Sequence, residues 1–194
     1  MKRHIVAGLV PFLAQAAFAA QPVVAGASGV SGPQQCLTRS QLSREQTPVV
    51  LNRAMVACAA ASRWDAAVFL FALGGTYGAY DAARVTDPSA GQAARVLRAG
   101  AMQAIPDAQR EVFRKRLEDV MRDAGAQAAL CDSVHGFGAP AYYPAYMVDH
   151  GLGAMQAAMS GQPVANGALR ADFDAAKGWD AAVAGYLQCS RDSR

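Results

Sequence analysis

Between Cys131 and His150 the chain concentrates side chains that can do chemistry in water: Asp132, Ser133, His135, Tyr142, Tyr143, Tyr146, Asp149 and His150. His135 and His150 are the only histidines besides His4 near the start. Any step needing an imidazole near neutral pH falls to these two. A metal centre would take His135, Asp149 and His150, since zinc accepts nitrogen and carboxylate ligands. Adjacent residues on a helix diverge by about 100°, so Asp149 and His150 would not readily share one ion. The chain has no His-Glu-x-x-His and no Cys-x-x-Cys, and no metal ligand set is expected.

A hydrolase would use Ser133 or Ser160 as nucleophile, His135 or His150 as general base and Asp149 to orient it. The Gly-x-Ser-x-Gly elbow is missing, as is the strand–turn–helix setting that elbow needs. A two-carboxylate glycosidase has only Glu45, Glu111 and Glu118 to draw on. The last two lie among arginines one helical turn away, where ion pairing accounts for them. A third chemistry is recognition. Tyr142, Tyr143 and Tyr146, with Asp149 and His150, sit on or beside a Gly-Pro loop, Gly136–Pro144. Tyrosines on a stiff loop supply contact area at low entropic cost. A purely structural use competes with all three, because a turn between helices also buries tyrosine rings. Nucleotide, calcium and covalent haem motifs are absent, so no cofactor is expected.

Helices must position these residues. Thr47-Pro48 is a start signal, with proline where its missing N–H costs nothing. Leu51, Met55 and Cys58 follow at helical spacing. Ser62-Arg63-Trp64-Asp65 has the capping-box shape and opens a second helix through Phe69, Leu73, Tyr77 and Tyr80. Gly74, Gly75 and Gly78 within it predict close approach of a neighbour, at about 1 kcal/mol each in helix propensity. Asp87-Pro88 starts a third helix over 88–104 with Ala93, Val96, Leu97 and Met102 inward. Residues 107–122 form an amphipathic helix with Val112, Phe113, Leu117, Val120 and Met121 on its apolar side. Gly125 ends it, and a short helix over 126–134 carries Cys131. Pro144 leads a sixth helix through Tyr146, Met147, Leu152 and Met155. A seventh runs from Leu169 to Cys189, with Trp179 central. Trp64 and Trp179 read as core anchors. No alternating run of strand length occurs, so the expected fold is all-α. It is a compact orthogonal or bundle-like array of six to seven helices with two disulfides.

Met1-Lys2-Arg3-His4, an apolar run to Leu13 and the small-residue stretch Ala14–Ala20 have the pattern of a cleavable secretory signal over 1–20. The apolar run is too short to span a bilayer. The Gly/Ser/Pro-rich stretch 21–35 reads as a flexible lead-in, and 36–194 as a single helical domain. Removing twenty residues from 194 leaves 174, enough for a real core. Removing Lys2 and Arg3 from eighteen basic residues leaves sixteen against fifteen acidic ones. That balance gives no electrostatic engine for nucleic acid and no polybasic patch for anionic lipid.

Cys36, Cys58, Cys131 and Cys189 are an even set in a chain bearing an export signal, which predicts two disulfides. Of the three possible pairings, Cys36–Cys58 and Cys131–Cys189 are favoured. The first ties the N-terminal arm to the first helix, and the second clips the last helix to the middle of the chain. The expected function is a periplasmic or secreted binding protein that recognises another envelope protein, in the manner of an inhibitor or immunity protein. Tyr142, Tyr143, Tyr146, Asp149 and His150 would form its surface. The alternative is a small envelope hydrolase using His135 or His150. Neither nucleic acid nor a membrane span enters either expectation.

Overall fold

The computed structural model describes residues 35–161 and 168–189. The leader expected over 1–20 and nearly all of the lead-in over 21–35 lie outside the described residues. Contacts divide the chain into Met1–Gly32 and Pro33–Arg194, and every described residue belongs to the second unit.

Eight α-helices occur among the described residues: α1 Pro48–Ala60, α2 Trp64–Arg84, α3 Gln92–Ala104, α4 Asp107–Arg122, α5 Ala124–Phe137, α6 Ala145–Val148, α7 Leu152–Ser160 and α8 Ala175–Leu187. The fold is all-α, and the only strand-like pairing among the described residues is one antiparallel bridge, Val85 with Leu169. Cys36–Cys58 and Cys131–Cys189 are both bonded. They close 22 and 58 residues of chain, and chain entropy alone makes them worth about 3 and about 4 kcal/mol.

α2 is the central element because it is apolar on nearly every side. It packs α1 along one flank, with Leu51, Met55 and Cys58 of α1 and Leu70, Leu73 and Tyr77 of α2 closed to solvent. Each buried leucine contributes about 1.5–3 kcal/mol. α8 lies on another flank and inserts Trp179 against Tyr77 and Tyr80, with ring centroids 5.7 and 6.1 Å apart. The α2 glycines allow the close approach their spacing predicts. A Cβ on Gly75 would stand 2.0 Å from the Tyr186 ring of α8, and one on Gly78 would stand 2.9 Å from Ala94 of α3. The Gly78–Ala94 contact sets the small-residue side of α3 against α2, so Val96, expected inward, is 70 % exposed. On α4 only Phe113 is fully buried; Leu117 and Val120 are half-buried, and Val112 and Met121 face solvent.

Four boundaries differ from expectation. Ser62 does not cap α2: it takes the left-handed conformation (φ 55°), and Arg63 is the N-cap without a side-chain bond. α5 begins at Ala124 because Asp123 accepts the Ala126 N–H at 2.8 Å, and Gly125 falls inside its first turn. The expected sixth helix splits into α6 and α7 at Gly151. α8 begins at Ala175, where Asp174 accepts the Lys177 N–H at 3.0 Å. Leu169 pairs with Val85 instead, through Thr86 N–H to Ala168 O and Arg170 N–H to Arg84 O, each 2.8 Å.

Candidate functional site

The aromatic loop is anchored on an aspartate of α2. Tyr77, Tyr80, Asp81 and Arg84 recur at helical spacing on its buried face, and Asp81 is closed to solvent. Nε and Nη2 of Arg84 donate to Asp81 Oδ1 at 2.9 and 2.7 Å. The hydroxyls of Tyr142 and Tyr146 both donate to Oδ2, at 2.8 and 2.9 Å. Arg84 Nη2 also donates to the Tyr142 carbonyl at 2.8 Å. The guanidinium lies over the rings of Tyr80 and Tyr142, 5.1 and 5.6 Å from their centroids. Burial pushes the Asp81 carboxyl above its usual range, while Arg84 and the two hydroxyls pull it back. Burial, and then the negative charge of Asp81, push the Tyr142 and Tyr146 phenols up. A second polar clasp holds α7. Asp87 Oδ1 accepts from the N–H and hydroxyl of Ser89 at 2.8 and 2.6 Å, and its Oδ2 accepts from Gly153 N–H at 3.0 Å. Ser89 Oγ accepts from Leu152 N–H at 2.9 Å.

These clasps sort the five residues expected at the binding surface. Tyr142 and Tyr146 turn inward and commit their hydroxyls to Asp81. Tyr143, 56 % exposed, faces solvent together with Asp149 and His150, and their side chains bond to no described residue. Next in the chain, α7 presents Leu152, Met155 and Met159 at 61, 54 and 88 % exposure. Their spacing of three and four residues places them on one side of the helix.

The two histidines lie apart in role. His135 on α5 bonds through Nε2 to Asp180 Oδ1 of α8 at 2.9 Å, with both side chains partly exposed. His150 stands in the turn between α6 and α7; its N–H donates to Met147 O at 3.1 Å, and its ring has no bonded partner among the described residues. Neither Ser133 nor Ser160 bonds to a histidine; the Ser160 hydroxyl donates to Gln156 and Ala157 carbonyls of its own helix. Among the described residues no group of three His, Cys, Asp or Glu side chains is arranged to hold a metal ion.

A concavity that the sequence did not announce lies elsewhere. Residues 36–42 cross α2 and α5 as a strap, with Arg39 Nη2 donating to Ser133 O at 2.9 Å. Strap, α2, α4 and α5 enclose a groove of about 510 Å³ lined largely by apolar side chains. That volume is in the range of small-molecule sites, about 300–1,000 Å³. Neither histidine lines it.

Asp81, Arg84 and Ser89 carry roles the sequence pattern did not single out; Asp87 caps the turn at Pro88 as its Asp-Pro signal predicts, and its bond to α7 is additional. A signal existed for the first pair: a carboxylate and a guanidinium continue the Tyr77–Tyr80 stripe. No helix among the described residues is long and apolar enough to cross a membrane. No known family model, no curated protein and no solved structure matches this chain, so its function has to be read from its own geometry.

Proposed function

We propose that this chain is an exported helical binding protein that recognises another protein of the cell envelope. Its surface is formed by Tyr143, Asp149, His150 and the outer side of α7. The observation that carries the reading is the exposure of Leu152, Met155 and Met159 on one side of a clasped helix. Apolar side chains gathered in this way mark interaction sites more often than chance exposure does. Their spacing suits a helix laid into an apolar cleft of a partner. Tyr143, Asp149 and His150 flank that side with hydrogen-bonding capacity still available, as polar rims do. The Asp81 and Asp87 clasps hold the surface in place before binding, which lowers the entropic cost of recognition. Two disulfides and the leader-like N-terminus favour a periplasmic or secreted location.

The test places a photo-crosslinking side chain at position 155 or 159, with one at position 115 on α4 as control. The protein is expressed with its leader in cells and recovered from the envelope. One partner crosslinked at 155 and 159, not at 115, and lost when Met155→Asp and Met159→Asp are combined with Tyr143→Ala supports the reading. Capture undiminished by those substitutions removes this surface as the interface. Self-crosslinking at 159 alone would make the face a contact between copies and overturn the proposal.

The hydrolase alternative keeps one supporting observation, the His135–Asp180 pair, which fixes an imidazole as a general base requires. It has no bonded serine nucleophile. Hydrolysis of an envelope substrate by the purified protein, abolished by His135→Ala, would revive it; identical hydrolysis by the variant would end it.

A further inference from the structure

We propose that the groove under the strap is a binding site for a free single-chain carboxylate amphiphile of the fatty-acid type. This site is separate from the α7 surface and goes beyond the proposed protein recognition.

The floor and walls are hydrocarbon. Phe69 and Leu70 come from α2, Val120 from α4, Leu130 from α5, and Leu37 and Leu42 from the strap. One end is charged. Arg63, Asp65 and Arg116 line the groove and also line an adjoining polar recess beside Trp64. Arg116 donates to Asp65 at 2.8 Å. The Arg63 guanidinium has no ion pair or hydrogen bond among the described residues. Arg39 of the strap is a third cation of the groove lining, outside that recess, held over the Phe69 ring at 4.5 Å and donating to Ser133 O. Three guanidinium groups against one carboxylate leave the lining with two uncompensated positive charges. An anionic head therefore finds a partner at the mouth, and an apolar tail finds the floor.

The lining also discriminates against a peptide. A peptide brings an N–H and a C=O at nearly every residue, and burying these unpaired is costly. The uncharged polar side chains lining the groove are Thr38 and Ser133, and the Thr38 hydroxyl already donates to Gln41 at 2.8 Å. An acyl chain makes no such demand. A carboxylate on the Arg63 guanidinium, beside Arg116, forms charge-assisted bonds, the stronger kind.

The strap makes the site conditional on oxidation. Residues 37–42 supply one wall, and Cys36–Cys58 fastens that wall to α1, Cα to Cα 4.4 Å. Cys131–Cys189 joins α5 to the residues after α8 and does not fasten the strap.

The experiment is calorimetric titration of the oxidised protein with dodecanoate and with dodecyltrimethylammonium, both below their micellar concentrations. One saturable dodecanoate site is expected, with the cation at least about tenfold weaker, the effect of one charge-assisted contact. Arg63→Gln combined with Arg116→Gln brings the two probes to similar affinity. Ala129→Phe, which fills the groove from an exposed position on α5, abolishes dodecanoate binding while the thermal melt is unchanged. Cys36→Ser with Cys58→Ser lowers affinity while helical content stays near wild type. Absence of saturable binding, equal binding of the two probes by the wild type, or full affinity in Ala129→Phe would each overturn the proposal.

Discussion

The hydroxyls of Tyr142 and Tyr146 converge on a single oxygen, Oδ2 of the fully buried Asp81. Four residues apart in the chain, they are brought to one acceptor by Pro144 and the first turn of α6. Through them α2, which is the centre of the core, dictates where the segment 142–150 sits. The exposed Tyr143 lies between two inward anchors, and its outward direction follows from theirs.

If this clasp organises the loop, Tyr142→Phe and Tyr146→Phe should each destabilise by about 1.5–3 kcal/mol, as hydrogen bonds to a charged group do. The double variant should lose more than the sum, since Oδ2 is then left without a donor in the interior. Asp81→Ala, which strands the Arg84 guanidinium, should cost about 3–5 kcal/mol. Urea unfolding with both disulfides intact measures all four proteins. Additive losses under about 1 kcal/mol in total would show that the hydroxyls contribute nothing beyond ring burial.

The α7 clasp should be sensitive to acid. The Ser89 hydroxyl, and then the Gly153 N–H, hold the Asp87 carboxyl below its ordinary value of 3.8. A depressed carboxylate contributes stability that is present above 3.8 and lost as pH falls through its lower folded value. Amide protection at Leu152 and Gly153 should therefore fall in that acid window, after correction for intrinsic exchange. Asp87→Asn keeps an acceptor without a titrating group and should abolish the pH dependence, while Asp87→Ala should weaken α7 by about 1 kcal/mol near neutral pH and by less in the acid window, where the wild type loses the same contribution. The same acid loss in Asp87→Asn would assign the effect to another group.

Glycines within helices should respond in opposite directions. Gly75→Ala drives a methyl into the Tyr186 ring and should destabilise by about 1–3 kcal/mol. Gly100→Ala on α3 meets open space and should stabilise by about 0.5–1 kcal/mol. Thermal melts of the two variants decide this, and a stabilised Gly75→Ala would mean that the Tyr186 ring of α8 does not rest on Gly75.

Local pattern alone was enough for the helical class and the positions of α1, α2 and α4, and it favoured one of three cysteine pairings without fixing it. The helix signals are local: a start at Thr47-Pro48 and apolar periodicity through Leu73 and Tyr77. Tertiary structure decided which tyrosine faces water, where the expected sixth helix breaks, and that a groove exists. Oδ2 of Asp81 lies more than sixty residues before the hydroxyls it accepts, and Asp87 more than sixty before the amides of α7. No pattern within a short window records such partners. A buried carboxylate must find donors wherever the chain brings them, so those contacts became visible only once α2 was surrounded.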